Sequence, residues 1–276
     1  MKLKKIIISL VVVVLLLALF YWPTFRWLVL SWLSNSYYTH GFLVPLISGF
    51  FIWTKRNQLK TREPSIIGAF VLALGALVYI FGLIWDMRFL SAFSLLIVLG
   101  GLVFLFFGTR AMRSIVLPLC FLIFMIPLPF IQEIGFYLQT ISVHSSAWLL
   151  TVVGFSVTTV GPEIHLGDAI FTIGLPCSGI NTLIALLTLA AVYVYLLMGP
   201  VYKRTILFIT AFPLAILANI LRIASIVLVA NYRGEETAMG WFHDLSSPLF
   251  FLVAFLCLVL IGRIVGCRLR VHVLRE

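Results

Sequence analysis

The chain is 276 residues long, 63% of them hydrophobic and only 10% charged, with a formal net charge of +10. A soluble domain is nearer ~45–50% apolar and ~25% charged, so a soluble globule is excluded. Disorder is excluded by the dominance of Phe, Leu, Ile and Val, and a disulfide scaffold by a count of four Cys.

A bilayer core takes roughly 20 mostly apolar residues per helix. The first such run, Ile6 to Trp22, follows Lys2, Lys4 and Lys5. No small-x-small cleavage site follows it, so it reads as a retained signal-anchor helix rather than a cleaved signal. A second run covers Tyr37 to Thr54. Later runs span Ser65–Ile84, Phe89–Phe107, Ser114–Phe130, Gly179–Met198, Thr205–Ala230 and Pro248–Gly266. The expected fold is an all-α polytopic membrane protein of about eight transmembrane helices, residues 1–276 forming one integral domain.

Counting Lys and Arg by loop gives the orientation. With the N-terminus inside, Lys2, Lys4, Lys5, Lys55, Arg56, Lys60, Arg62, Arg110, Arg113, Lys203, Arg204, Arg268, Arg270 and Arg275 fall in the cytoplasm, with Arg263 at the cytoplasmic end of the last span. Only Arg26, Arg88 and Arg233 fall on the opposite side. The alternation predicts a plasma or inner membrane protein with both termini cytoplasmic. It also removes nucleic acid as a partner, because the basic residues are scattered over separate loops rather than gathered in a patch.

The stretch between Phe130 and Gly179 is then external. Gln132 to Val153 reads as a helix lying on or dipping into the membrane, with Gln139, His144 and Ser145 on its wetter face. Phe155 to Ile173 holds two partly alternating β-branched runs around Gly161-Pro162 and Gly167-Asp168, the signature of a short hairpin.

Polar groups at membrane depth carry the chemistry, because each is costly. Arg222 lies about eight residues before the external end of the seventh span, ~12 Å deep, and Asn219 three residues earlier shares its face. The competing reading is a snorkelling Arg that reaches the headgroups. Cys120, Cys257 and Cys267 read as small buried hydrophobes, and no C-x-x-C pair is present. Cys177 differs: it is external, follows a strand-like run and opens a span through Pro176-Cys177-Ser178-Gly179. Unpaired N–H groups and the positive dipole end of a helix stabilise negative charge on such a sulfur. His243, beside Asp244, stands at the external start of the last span, and His40 lies at an external span boundary. His144 and His165 are weaker candidates, and His272 is on the wrong side. No zinc spacing, H-E-x-x-H or Gly-rich phosphate loop occurs, so neither a metal nor a cofactor is expected.

Cys177, Arg222 and His243 occupy the external ends of three successive spans, and successive helices tend to be neighbours. Thiolate, imidazole and guanidinium are the parts of a cysteine acyl-transfer site. Two other classes fit the sequence less well. A thiol–quinone oxidoreductase needs paired external Cys, and only one Cys is external. A transporter or transferase for lipid-linked glycans needs polar residues along several spans or an acidic metal loop, whereas the nine acidic residues here are scattered.

The blocks Tyr38–Leu46, Pro176–Ile180, Asn219–Ile223 and Phe242–Asp244 resemble, in order and over most of the chain, the exosortase/archaeosortase family of membrane-embedded cysteine proteases and transpeptidases. The resemblance implies catalytic Cys177, Arg222 and His243, with Asn219, Ser178 and His40 as supporting or substrate-binding residues. It also implies protein substrates that end in a recognition motif, a transmembrane helix and a basic cluster, PEP-CTERM signals being the usual bacterial case.

Overall fold

All eight apolar runs are helical in the computed structural model, but they differ in length and continuity. It describes residues 2–59, 65–167 and 169–269, without the side chains of residues 2–10 and of Gln58. Lys60, Arg62, Asp168, Arg270, His272 and Arg275, and the side chains of Lys2, Lys4 and Lys5, therefore lie outside the described residues.

The backbone gathers into two compact units, residues 1–128 and 129–276. In the first, α1 (Lys2–Phe20) and α2 (Trp22–Ser34) meet at a 66° bend. A 3₁₀ segment, Ser36–Phe42, leads into the short α3 (Leu43–Thr54). Next come α4 (Ile67–Ile84) and α5 (Arg88–Phe121), the latter interrupted at Gly108, whose φ of 83° breaks the helical path. The pairing of α4 with α5 follows from a heptad of glycines. Gly68, Gly75 and Gly82 share one buried face of α4, and a Cβ on Gly68 would sit 2.4 Å from the Leu105 backbone N. Small residues let helix backbones approach where bilayer lipid removes the hydrophobic drive between helices. The opposite face of α4, with Phe70, Leu77 and Ile84, is exposed and apolar, as a lipid-facing surface must be. α2 and the 3₁₀ segment are tied to the end of this unit, the first by the Trp32 indole N–H donating to Met125 O (2.8 Å) and the second by the Leu128 N–H donating to Tyr38 Oη (2.9 Å).

The second unit starts with α6 (Ile131–Val152), close to the predicted Gln132–Val153. Of the residues expected on its wetter face, His144 is exposed, while Gln139 and Ser145 are half-buried. Ser142 and Ser146 are buried, while Phe136, Tyr137, Trp148 and Val152 are exposed. The predicted hairpin is in fact two hairpins sharing a strand: β1 (Val157–Val160), β2 (Glu163–Leu166) and β3 (Ala169–Thr172), antiparallel in that order. A 3₁₀ turn (Leu175–Cys177) follows, then α7 (Ile180–Leu196), α8 (Val201–Arg233), the single turn α9 (Glu235–Thr237) and α10 (His243–Ile264). A two-residue ladder, β4 (Leu197–Met198) with β5 (Arg268–Leu269), ties the start of α8 to the end of α10. α8 is the axis of the unit and packs against α6, α7 and α10. Its buried stripe of Ala211, Ala215, Ala218, Arg222, Ile226 and Ala230 recurs every three or four residues, and the alanines keep the approach close.

Among the described residues five helices are long and apolar enough to cross a membrane, or six if the bent α1–α2 pair is one span. The eight runs exceed this because Tyr37–Thr54 is partly 3₁₀ and the runs flanking Gly108 are counted together, although Gly108 separates two helical segments that fold back on each other, placing Gly100 against Leu119. Cys120 is exposed and Cys257 half-buried, against the expectation that all three spare Cys are buried; only Cys267 is. Where the outer surface is itself apolar, a small apolar side chain carries no inward preference.

Candidate active site

Three helix ends of the second unit deliver the polar side chains. Pro176 sets the 3₁₀ turn that carries Cys177, with Cys177 N–H donating to Gly174 O (2.9 Å) and Ser178 N–H to Leu175 O (3.0 Å). Gly179 then turns at φ +90° and α7 begins one residue later. Cys177 thus precedes the helix rather than occupying its first turn, and the Ser178 N–H is already bonded.

The sulfur meets both predicted partners. Cys177 Sγ lies 3.2 Å from His243 Nε2, and Arg222 Nη2 donates to the same sulfur at 3.6 Å. Arg222 Nη2 also stands 3.3 Å from His243 Nε2, which closes a triangle. Cys177 and His243 are half-buried, while Arg222 is only 4% exposed. The guanidinium therefore points into the protein rather than snorkelling. Arg222 Nε donates to Ser246 Oγ and Nη1 to Asn219 Oδ1, each at 3.3 Å. Among the described residues no carboxylate pairs with it.

Asn219, 1% exposed, joins the parts. Its Nδ2 donates to Ser142 Oγ (3.0 Å) and to Cys177 O (3.1 Å), so one amide fixes the cysteine backbone and the arginine together. This explains the glycine after Ser178. A Cβ at Gly179 would lie 2.8 Å from the Asn219 amide, and φ +90° is itself unfavourable for any other residue. Ser178 is buried and serves locally: its Oγ accepts from Ile180 N–H (3.4 Å) and its carbonyl accepts from Ser142 Oγ (3.4 Å). Ser246 Oγ donates to His243 O (2.8 Å), which anchors the first turn of α10 to the arginine. Asp244 Oδ1 faces His243 Nδ1 at 3.5 Å from a side chain that is 88% exposed, a weak tether on the ring.

Of the six candidates, Cys177, Ser178, Asn219, Arg222 and His243 come together. His40 belongs to the first unit, where its ring stacks on Tyr38 at 6.2 Å between centroids. His144 bonds its own helix at Thr140 O, and His165 pairs with Glu163 across 3.1 Å. Among the described residues no cluster of three His, Cys, Asp or Glu is arranged to hold a metal ion.

Residues 32–260 match the family description "transmembrane exosortase". The chain belongs to the exosortase family. It is accordingly a multi-pass membrane protein of a family of membrane cysteine proteases and transpeptidases that process PEP-CTERM sorting signals. The match takes in all four sequence blocks and reaches into both compact units. No curated protein and no solved structure matches the chain. Sequence reasoning missed Ser142 and Ser246. Ser246 had a usable signal, since it stands three residues after His243 and so on the same face of α10. Ser142 had none, because its role depends on how α6 packs against α8.

Proposed function

We propose that this exosortase-family chain cleaves the C-terminal sorting signals of exported proteins through a Cys177 acyl-enzyme. The observation that carries the reading is the 3.2 Å approach of Cys177 Sγ to His243 Nε2 beside a buried guanidinium 3.6 Å from the same sulfur.

The substrate's tail helix enters the bilayer beside the catalytic spans and leaves its recognition motif at the interface. His243 Nε2 takes the thiol proton as Cys177 Sγ attacks the scissile carbonyl. The carbonyl oxygen becomes an oxyanion, and Arg222 supplies N–H donors and a positive charge beside it. His243 then passes the proton to the departing amine, the C–N bond breaks, and the tail leaves with a new N-terminus. The thioester is resolved by water or by an acceptor nucleophile. A buried cation without a carboxylate partner is costly by itself, and that cost is offset whenever the site holds an anion. With the Ser178 N–H bonded to Leu175 O, Arg222 is the charged donor nearest the sulfur.

The Lys and Arg distribution supports both termini in the cytoplasm and the site on the external face of the cell membrane. The continuity of the family match supports one functional domain over residues 32–260. The test is to co-express the chain with a protein ending in a PEP-type motif, a hydrophobic helix and a basic tail, and to look for the shortened, released form. Equal release with Cys177→Ala would overturn the mechanism, and no release with the intact chain would overturn the function.

A further inference from the structure

The small sheet ahead of Cys177 has a free edge, and its register determines which backbone groups that edge presents. Both turns hold two residues, closed by the pairs Val160–Glu163 and Leu166–Ala169. A two-residue turn is closed by a hydrogen-bonded pair, and such pairs alternate along antiparallel strands. On β3, Ala169 and Phe171 therefore turn N–H and C=O toward β2. Ile173 continues the pattern: its N–H donates to Pro162 O at 3.0 Å. Pro162 has no N–H to return, and the Gln139 side-chain amide donates to Ile173 O in its place. Ile170 and Thr172 consequently point their backbone groups away from the sheet, on the side where no strand follows. Both residues are exposed, and among the described residues none of these outward groups has a partner.

This edge leads to the thiol. Phe171 and Ile173 pack in one apolar cluster with Cys177, Ile223, Val227 and Phe242. The five-residue link from Thr172 to Cys177 spans at most ~17 Å when fully extended. The opposite edge, on β1, lies two strand spacings from β3, ~10 Å, and α6 packs against that strand. A scissile carbonyl inside a helix is screened by its own hydrogen bonds, so a substrate must be extended to be attacked. Near a bilayer, its freed backbone groups then need partners.

We propose that the β3 edge is the substrate-docking surface. The segment on the N-terminal side of the scissile peptide adds as a fourth strand, parallel to β3, and bonds to the N–H and C=O groups of Ile170 and Thr172. The strand direction then feeds the next residues toward Cys177. This is strand addition, in which main-chain bonds supply affinity and alternate side chains supply selectivity. The inference rests on the cysteine-peptidase reading above.

The test uses the full chain in nanodiscs with a synthetic peptide carrying a PEP-type motif, a hydrophobic helix and a basic end. Backbone amides at the non-proline positions among the six before the cleaved bond are N-methylated one at a time. The expected result is a period-two profile, with kcat/KM down at least about fivefold at alternate positions, the worth of one net hydrogen bond, and little changed between them. Thr172→Pro removes an outward N–H and no bond to β2, a substitution that edge strands tolerate. It should lower kcat/KM by a similar factor. A flat methylation profile with normal cleavage of the unmodified peptide would overturn strand addition and leave the peptidase reading intact. No cleavage of the unmodified peptide by the wild-type chain would overturn both.

Discussion

Replacing Arg222 by Lys separates a guanidinium that works in the site from one that merely carries charge. Arg222 uses all three nitrogens: Nε on Ser246, Nη1 on Asn219, and Nη2 facing both Cys177 Sγ and His243 Nε2. A Lys ammonium is a single point that cannot span that fork, so at least two of these contacts are lost. Hydrogen bonds from a charged donor are worth roughly 1.5–3 kcal/mol each, and loss of one oxyanion donor costs ~10²–10³ in turnover. We expect Arg222→Lys to insert normally and to cleave at least about tenfold more slowly, a cautious floor beneath that range. The measurement is a time course of tail cleavage, normalised to membrane-inserted enzyme. An Arg that reaches lipid headgroups would be replaced by Lys without loss. A wild-type rate in Arg222→Lys would therefore refute the role assigned to the guanidinium, whatever its burial.

Cys177→Ala should abolish cleavage while leaving the protein inserted, whereas Ala at Cys120, Cys257 or Cys267 should retain most activity; immunoblots of substrate and enzyme read both. Gly179→Ala places a Cβ 2.8 Å from the Asn219 amide at φ +90°, and a strained backbone of this kind costs ~1–3 kcal/mol. It should lower the melting temperature in detergent by several degrees and cut cleavage below a tenth; wild-type values in both would show that Asn219 yields freely. Asp244→Asn should hold the rate within about fivefold, because exposed ion pairs are worth little, and a hundredfold loss would make Asp244 an essential orienter of His243. Val160→Cys, at the exposed tip of the first hairpin, should react with a membrane-impermeant maleimide from outside intact cells. Labelling only after permeabilisation would reverse the topology and move the site to the cytoplasmic face.

Much of the site was legible one residue at a time. Arg222 and Asn219 drew notice because polar groups are costly at membrane depth, and Cys177 because Pro176 and Gly179 frame it. Helical spacing put Asn219 and Arg222 on one face, and their hydrogen bond has that origin. The helices followed from apolar length, an intrinsic property of each segment. So did β-structure before Cys177, from branched residues around Gly161 and Gly167, although the count of strands came out one short.

The sequence by itself determined that the chain is multi-pass, which segments are helical, and which side chains are too costly to be incidental, because these depend on the solvent and on neighbours along the chain. Tertiary structure alone decided that Asn219 fastens Cys177 to Arg222, that Ser142 and Ser246 complete the cluster, and that the Ser178 N–H is bonded within its own turn. It also decided that α6 turns its serines inward and that α5 is interrupted at Gly108. Each of these depends on which helix faces come together, and in a bilayer that choice is made by close packing and hydrogen bonds between helices, since apolar residues on every face leave no pattern that marks the buried one.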